Sequence, residues 1–216
     1  STVAEIELSG NGGEWVKVSC SVKALETQMG RLVIIFKGNG HIGVDCVSLL
    51  PSKVWGDPDK YRNGKLSPRI VKVLKDCRPS FFRFPGGCVV EGDEIFDNMY
   101  KWRNTVGALE ERRQIANTWG YMQSYGVGFY EYFALCEDLK MTPLPVLHCG
   151  LLCQIRVGEQ RGEGYRRIMP GTKEFKHEVI DNVADLLFFA LGSADSEDEN
   201  EAYWAKVRAE MGHPAP

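Results

Sequence analysis

The 216-residue sequence has no apolar run approaching the roughly 20 residues needed to cross a bilayer, so a membrane-spanning helix is not expected. Its first residues also lack the charged-then-apolar pattern of a signal peptide. A dominant charge is missing too: 26 Lys and Arg stand against 29 Asp and Glu, for a formal charge of -3, and no basic cluster makes an electrostatic footprint for nucleic acid. Neither nucleic acid nor membrane is expected as a partner, and a neutral one, such as a sugar, fits better. Paired CxxC spacing is absent as well. The seven cysteines (Cys20, Cys46, Cys77, Cys88, Cys136, Cys149, Cys153) are odd in number, which argues against a complete disulfide framework or a structural zinc site.

What the chain does have is apolar content, 44% hydrophobic and 11% aromatic, enough to bury a sizeable core. Thr2 to Leu50 reads as short β-runs between turns: Val3 to Leu8, Trp15 to Cys20, Arg31 to Phe36 and Ile42 to Leu50. Four strands without a helix predict part of a β-sandwich over residues 1–50. From Pro51 the pattern changes. Ser67-Pro68 offers an N-cap followed by proline at the first helical position, and Ile70, Val71, Leu74 and Cys77 recur at helical spacing, so a helix is predicted from Pro68 to Asp76. Phe81 to Phe84 then reads as a buried strand closed by the turn Pro85-Gly86-Gly87.

A second helix is predicted over Gly128 to Lys140, leading into a second buried strand, Leu144 to His148. A third helix covers Lys173 to Leu191 with Phe175, Val179, Val183, Leu186 and Ala190 on one stripe, and an acidic loop follows from Ser193 to Glu201. This alternation is that of an α/β fold, a (β/α) barrel or a doubly wound sheet, over residues 51–216. Both long connections, Pro85 to Val127 and Cys149 to Thr172, follow the C-terminal ends of strands, where barrel enzymes build their active sites.

Several residues in these connections could carry chemistry. The Pro85-Gly86-Gly87 turn lacks the Lys-Ser/Thr of a P-loop and the spaced glycines of a dinucleotide fingerprint, so a phosphate cradle is not expected. Cys88 to Trp119 combines Glu91, Asp93, Glu94, Asp97, Glu110 and Glu111 with Tyr100, Trp102 and Trp119. Acids beside aromatic rings suit a sugar, whose apolar faces lie on the rings while its hydroxyls bind the acids. The same composition also fits a solvated loop whose tryptophans anchor it to the core. His148 and Cys149 point to opposite faces of a strand, so they do not converge on a metal or act as a nucleophile and its base. Arg83, predicted within a buried strand, is either part of an ion pair inside a barrel or a ligand-orienting group at its rim.

The segment Phe82-Arg83-Phe84-Pro85-Gly86-Gly87-Cys88-Val89-Val90-Glu91-Gly92 resembles the second barrel strand and loop of family 51 glycoside hydrolases, the α-L-arabinofuranosidases of plant and gut-bacterial type. The likeness continues through Tyr100 to Gly107, Glu110-Glu111-Arg112, Gly126 to Tyr132 and Cys136 to Leu139. Ile42 to Pro51 is similar to the last strand of a carbohydrate-binding-like sandwich. Tyr203 to Ala209 and Gly212 to Pro216 are similar to the stretch that runs into the fourth barrel strand.

The resemblance implies a partial (β/α)8 TIM barrel, its second and third β/α units, preceded by strands of that sandwich. It implies an enzyme that releases terminal α-L-arabinofuranose from arabinan or arabinoxylan by a retaining two-carboxylate mechanism, without a metal or organic cofactor. Arabinose-containing polysaccharide or oligosaccharide is the expected partner, homo-oligomerisation of the full-length enzyme is compatible with it, and secretion or a periplasmic location is expected over the cytoplasm. By matching positions it puts Arg83, Gly86, Gly87 and Cys88 at the pocket floor and Trp119 at its wall. Cys88 stands where other branches have a sugar-binding Asn, and Glu91 is the candidate substitute.

In the family the acid/base Glu closes the fourth strand and the nucleophile Glu lies on a later one. Retaining hydrolysis needs two carboxyl groups about 5 Å apart, and no motif in these residues supplies that pair. The chain alone is therefore expected to be inactive. The rival readings are a non-catalytic carbohydrate-binding protein and a barrel glycosidase acting on xylosides or glucans.

Overall fold

The computed structural model describes residues 7, 12–62, 65–92, 98–117, 119–153 and 167–216, which fall into two units, Ser1–Ser52 and Lys53–Pro216. In the first unit none of the described residues forms a helix or a strand. The sandwich strands expected over Thr2 to Leu50 are thus not formed as a hydrogen-bonded sheet there, and Thr2 to Ile6 and Leu8 to Asn11 lie outside the described residues. The physical reason is that a strand, unlike a helix, satisfies its backbone groups only through a neighbouring strand. No apolar face is covered either: Trp15, Leu25, Met29, Leu32 and Ile35 are all exposed.

The second unit is α/β. Helix α1 spans Pro68–Cys77, with proline in its first turn, and it ends where Arg78 adopts a left-handed conformation. Of the apolar stripe expected here only Val71 is fully buried, while Ile70 and Cys77 are exposed. Strand β1 (Phe81–Phe84) pairs in parallel with β4 (Thr142–Pro145), Arg83 opposite Leu144, and the ladder continues as Val146 N–H donates to the Phe84 carbonyl at 2.7 Å. The second strand therefore starts two residues earlier than predicted, and His148 lies beyond its end. The amides of Thr142 and Val146 bond to the β1 side, so the missing N–H groups of Pro143 and Pro145 fall on the edge away from β1.

Between the two strands run helix α2 (Cys88–Glu91), 3-10 turns at Trp102–Thr105 and Leu109–Glu111, a small hairpin of β2 (Ile115–Ala116) and β3 (Met122–Gln123), and helix α3 (Phe129–Leu139). β1, α3 and β4 form a strand-helix-strand unit, the connection that two parallel strands require.

The predicted third helix is continuous but not uniform: α4 (Lys173–Phe175) and α5 (Asn182–Leu191) flank a π-wound segment, Lys176–Asp181. The wider winding rotates the face that follows it. Asn182, Asp185, Leu186 and Phe189 are buried, whereas Val183, expected on the stripe, is exposed. Helix α6 (Glu199–Glu210) takes up the end of the expected acidic loop. Asp198 caps it by accepting from the amides of Asn200 and Glu201 at 2.9 and 3.1 Å.

The core is aromatic. Phe84 meets Phe129 edge-on at 5.2 Å, and Trp102, fully buried, contacts Trp204 at 4.8 Å and Phe189 at 5.5 Å. The Trp102 indole N–H donates to the Asn182 carbonyl at 3.0 Å, which settles its polar end.

Candidate functional site

The turn that ends β1 gathers five of the six residues singled out from the sequence. Gly86 and Gly87 both adopt positive φ, 77° and 66°, a conformation that residues with a Cβ rarely take. A Cβ built on Gly86 would lie 2.7 Å from Cζ of Arg83, so the missing side chain leaves the space in which the guanidinium rests. Arg83 is exposed, not interred as its place in an apolar strand suggested. The reason is the packing: α3 covers the face of β1 that bears Phe82 and Phe84, which leaves Phe81 and Arg83, on the opposite face, exposed. Among the described residues no ion pair holds this guanidinium, so the internal ion-pair reading finds no support there.

Gly87 is the N-cap of α2, and Val90 N–H donates to its carbonyl at 3.0 Å. This single helical turn carries Cys88 and Glu91, both half-buried. The chain leaves at Gly92, where a Cβ would fall 2.5 Å from Asn98 Oδ1, and Tyr100 N–H returns to the Val89 carbonyl at 3.1 Å. Trp119 lies elsewhere, at the tip of the β2–β3 hairpin. It is 47% exposed, and its amide donates to the buried side chain of Asn117 at 2.9 Å. The two tryptophans of the acidic loop thus divide: Trp102 anchors the core and Trp119 faces solvent. Of the loop acids, Glu110 and Glu111 are exposed, and Asp93, Glu94 and Asp97 lie outside the described residues.

Sequence reasoning did not single out the pair that braces this loop. Arg112 donates from Nη1 to Glu131 Oε2 at 3.0 Å and from Nη2 to Oε1 at 2.8 Å, with both side chains fully buried. The guanidinium also donates to the carbonyls of Gly107 and Tyr125, and Glu131 accepts the Gly128 amide at 2.7 Å. An Arg and a Glu on either side of a long loop gave a signal only as separate motifs.

His148, just past β4, is buried at 3% exposure, and neither ring nitrogen has a hydrogen-bond partner among the described residues. Burial holds its pKa below the usual histidine value, against the pull of Glu178 and with the push of Lys101 and Arg103. Glu178, on the π-wound segment, pairs with Lys101 at 2.9 Å. Burial alone would raise its pKa, yet the hydrogen bond and charge of Lys101 outweigh this and lower it. Cys149 is exposed where His148 is buried, although both lie beyond the end of β4. Among the described residues no three His, Cys, Asp or Glu side chains are grouped to hold a metal.

Two open depressions, of about 500 Å³ beside Ser67, Ile70 and Leu74 and about 330 Å³ beside Thr172, Phe175 and Ile180, take in no residue of the Arg83–Glu91 turn. At the turn Arg83 and Gly87 are exposed, and Cys88 and Glu91 half-buried. Taken together, the turn offers a cationic donor, backbone bared by two glycines and one carboxylate, groups suited to binding hydroxyls.

Residues 73–216 match the family model described as the alpha-L-arabinofuranosidase 1 domain. The chain is 36% identical to an extracellular exo-alpha-L-arabinofuranosidase of Streptomyces chartreusis, over 94% of this chain and 23% of that protein. It is 33% identical to alpha-L-arabinofuranosidase 2 of Arabidopsis thaliana, over 98% of this chain and 28% of that protein. Among solved structures it is similar to the arabinose-bound MgGH51 α-L-arabinofuranosidase, with a TM-score of 0.56 and 29% identity over 70% of this chain and 21% of that one. The chain thus spans about a quarter of the length of the curated relatives it matches. On these matches the chain belongs to the family 51 α-L-arabinofuranosidases, of which it represents a partial region.

Proposed function

We propose that this chain forms the sugar-facing β1 and β4 region of a retaining exo-α-L-arabinofuranosidase, a hydrolase that releases terminal α-L-arabinofuranose from arabinan or arabinoxylan. Residues 51–216 supply the second and third β/α units of an eight-fold barrel, and residues 1–50 part of a sandwich. Arg83, Gly86, Gly87, Cys88 and Glu91 form the pocket floor, and Trp119 a wall. The observation that carries this reading is the Arg83 guanidinium lying over Gly86 at the C-terminal end of a parallel strand, the end at which barrel enzymes bind substrate.

Hydrolysis with retention needs a nucleophilic carboxylate and a protonated one about 5 Å apart, on either side of the anomeric carbon. In this reading both acids come from outside this chain, whose residues orient the furanose. A catalytic barrel draws its pocket from the loops of several strands, whereas among the described residues a single parallel pair, β1 and β4, is formed. The relative described as extracellular supports secretion of the enzyme.

The test is an assay of this chain, and of the polypeptide that carries it, on aryl α-L-arabinofuranoside and aryl β-xyloside. Turnover of the arabinofuranoside by the larger polypeptide and none by this chain is expected. Turnover of the xyloside in its place would favour another barrel glycosidase. Glycan binding without turnover would favour a non-catalytic binder.

A further inference from the structure

Helix α5 is apolar on two faces. One carries Leu186 and Phe189, which are buried together with Asn182 and Asp185. The other carries Val183, Leu187 and Leu191, at the spacing that sets side chains one above another on a helix, with Ile180 just before them on the π-wound segment. These side chains are between 43% and 67% exposed. Helix α6 shows the contrast. Its exposed positions are Glu199, Asn200, Tyr203, Lys206 and Glu210, the mostly polar outer face of an ordinary surface helix. A helix that is apolar all round belongs in an interior, and large apolar side chains in one uncovered stripe mark a contact surface.

Strand β4 is open as well. Among the described residues it pairs with β1 alone, and the amides of Thr142 and Val146 bond to the β1 side, so the backbone groups of Pro143 and Pro145 point to the other edge. A proline has no N–H, and within β4 that edge therefore presents carbonyl oxygens without donors. The β4 edges of two copies of this chain would set acceptor against acceptor and could not pair. A strand that brings its own N–H groups can. Such a strand makes only about half of an ordinary ladder, so the stripe on α5 has to supply much of the attraction.

We propose that the free edge of β4 and the stripe from Ile180 to Leu191 are the two contact surfaces for a further strand-helix unit of a longer polypeptide. Its strand donates to the carbonyls of Pro143 and Pro145, and its apolar side chains cover the stripe. This rests on the reading of the chain as part of an eight-fold barrel. In such a fold the crossover from β1 through α3 to β4 sets a direction, and the next strand adds at the edge of β4 away from β1. The relatives have chain to supply it, since this one spans about a quarter of their length.

The test is hydroxyl-radical footprinting, read by mass spectrometry, of this chain and of the larger polypeptide, both unsubstituted and with the dose normalised to a reference peptide. Oxidation of Leu187 and Leu191 in this chain and its loss in the larger polypeptide are expected. Equal oxidation in both overturns the proposal. So does oxidation in this chain that falls as its concentration is raised, because the stripe would then belong to a second copy. Turnover of aryl α-L-arabinofuranoside is measured on the same larger polypeptide. Turnover with the stripe still oxidised rejects this surface alone, whereas a protected stripe without turnover keeps the surface and rejects the enzymatic reading.

Discussion

Arg112 and Glu131 meet through two parallel hydrogen bonds, of 3.0 and 2.8 Å, with both side chains sealed from solvent. The contact ties the 3-10 turn Leu109–Glu111 to the first turn of α3, and so closes the long loop between β1 and α3 at its base. A buried pair of this kind contributes little net stability when intact, because desolvation offsets the attraction, but losing one partner strands the other charge. Arg112→Ala should therefore lower unfolding stability by ~3–5 kcal/mol in denaturant titration. Glu131→Gln keeps an acceptor for Gly128 and should cost less. A loss for Arg112→Ala no larger than a surface substitution gives would contradict the bracing role.

His148 gives the opposite case, a buried ring with no hydrogen bond to either nitrogen. Replacing it by Leu removes polar atoms that the fold leaves unsatisfied, so stability should rise by ~1–3 kcal/mol. The effect should depend on pH. Burial lowers the folded-state pKa, so the unfolded chain binds the proton more readily, and stability falls as pH drops below the unfolded histidine value of about 6.5. Thermal melts at pH 5 and 8 should show the gain from His148→Leu to be larger at pH 5. Equal gains at both would count against this assignment.

The divided tryptophans predict divided phenotypes. Trp102 is fully buried among Phe129, Phe189 and Trp204, and Trp102→Ala should cost ~3–5 kcal/mol. Trp119, half-exposed on its hairpin tip, should change stability by only ~0.5 kcal/mol on replacement by Ala, while glycan binding weakens. Melting curves and arabino-oligosaccharide titrations of the two variants separate the roles. A large loss of stability in Trp119→Ala would make it an anchor instead.

The sequence was most readable where a local rule acts alone. Pro68 in the first turn of α1 and the apolar spacing of α3 each specify their element without help from distant residues. Reading failed where the deciding partner is remote or the winding changes. Val183 sits outside because the π segment rotates α5, and Arg83 is exposed because it lies on the face of β1 away from α3. Helix α6 was hidden because its buried face is Ala202, Trp204, Ala205 and Arg208, a weak apolar stripe. Its signal lay instead in Asp198 followed three residues on by Glu201, the spacing of a capping box. For the site, the glycine turn was legible from composition, whereas the Arg112–Glu131 brace needed three dimensions.

The most direct test of the proposed sugar-facing turn is the kcat/KM of the larger polypeptide proposed above, measured on aryl α-L-arabinofuranoside with Arg83→Ala and Gly86→Ala. The first variant removes the guanidinium. The second drives a Cβ to within 2.7 Å of it at a positive φ that L-residues avoid. Each should reduce kcat/KM at least about tenfold, the effect of one lost charge-assisted hydrogen bond, with the enzyme still folded. Folded variants with unchanged kcat/KM would show that this turn does not face the sugar.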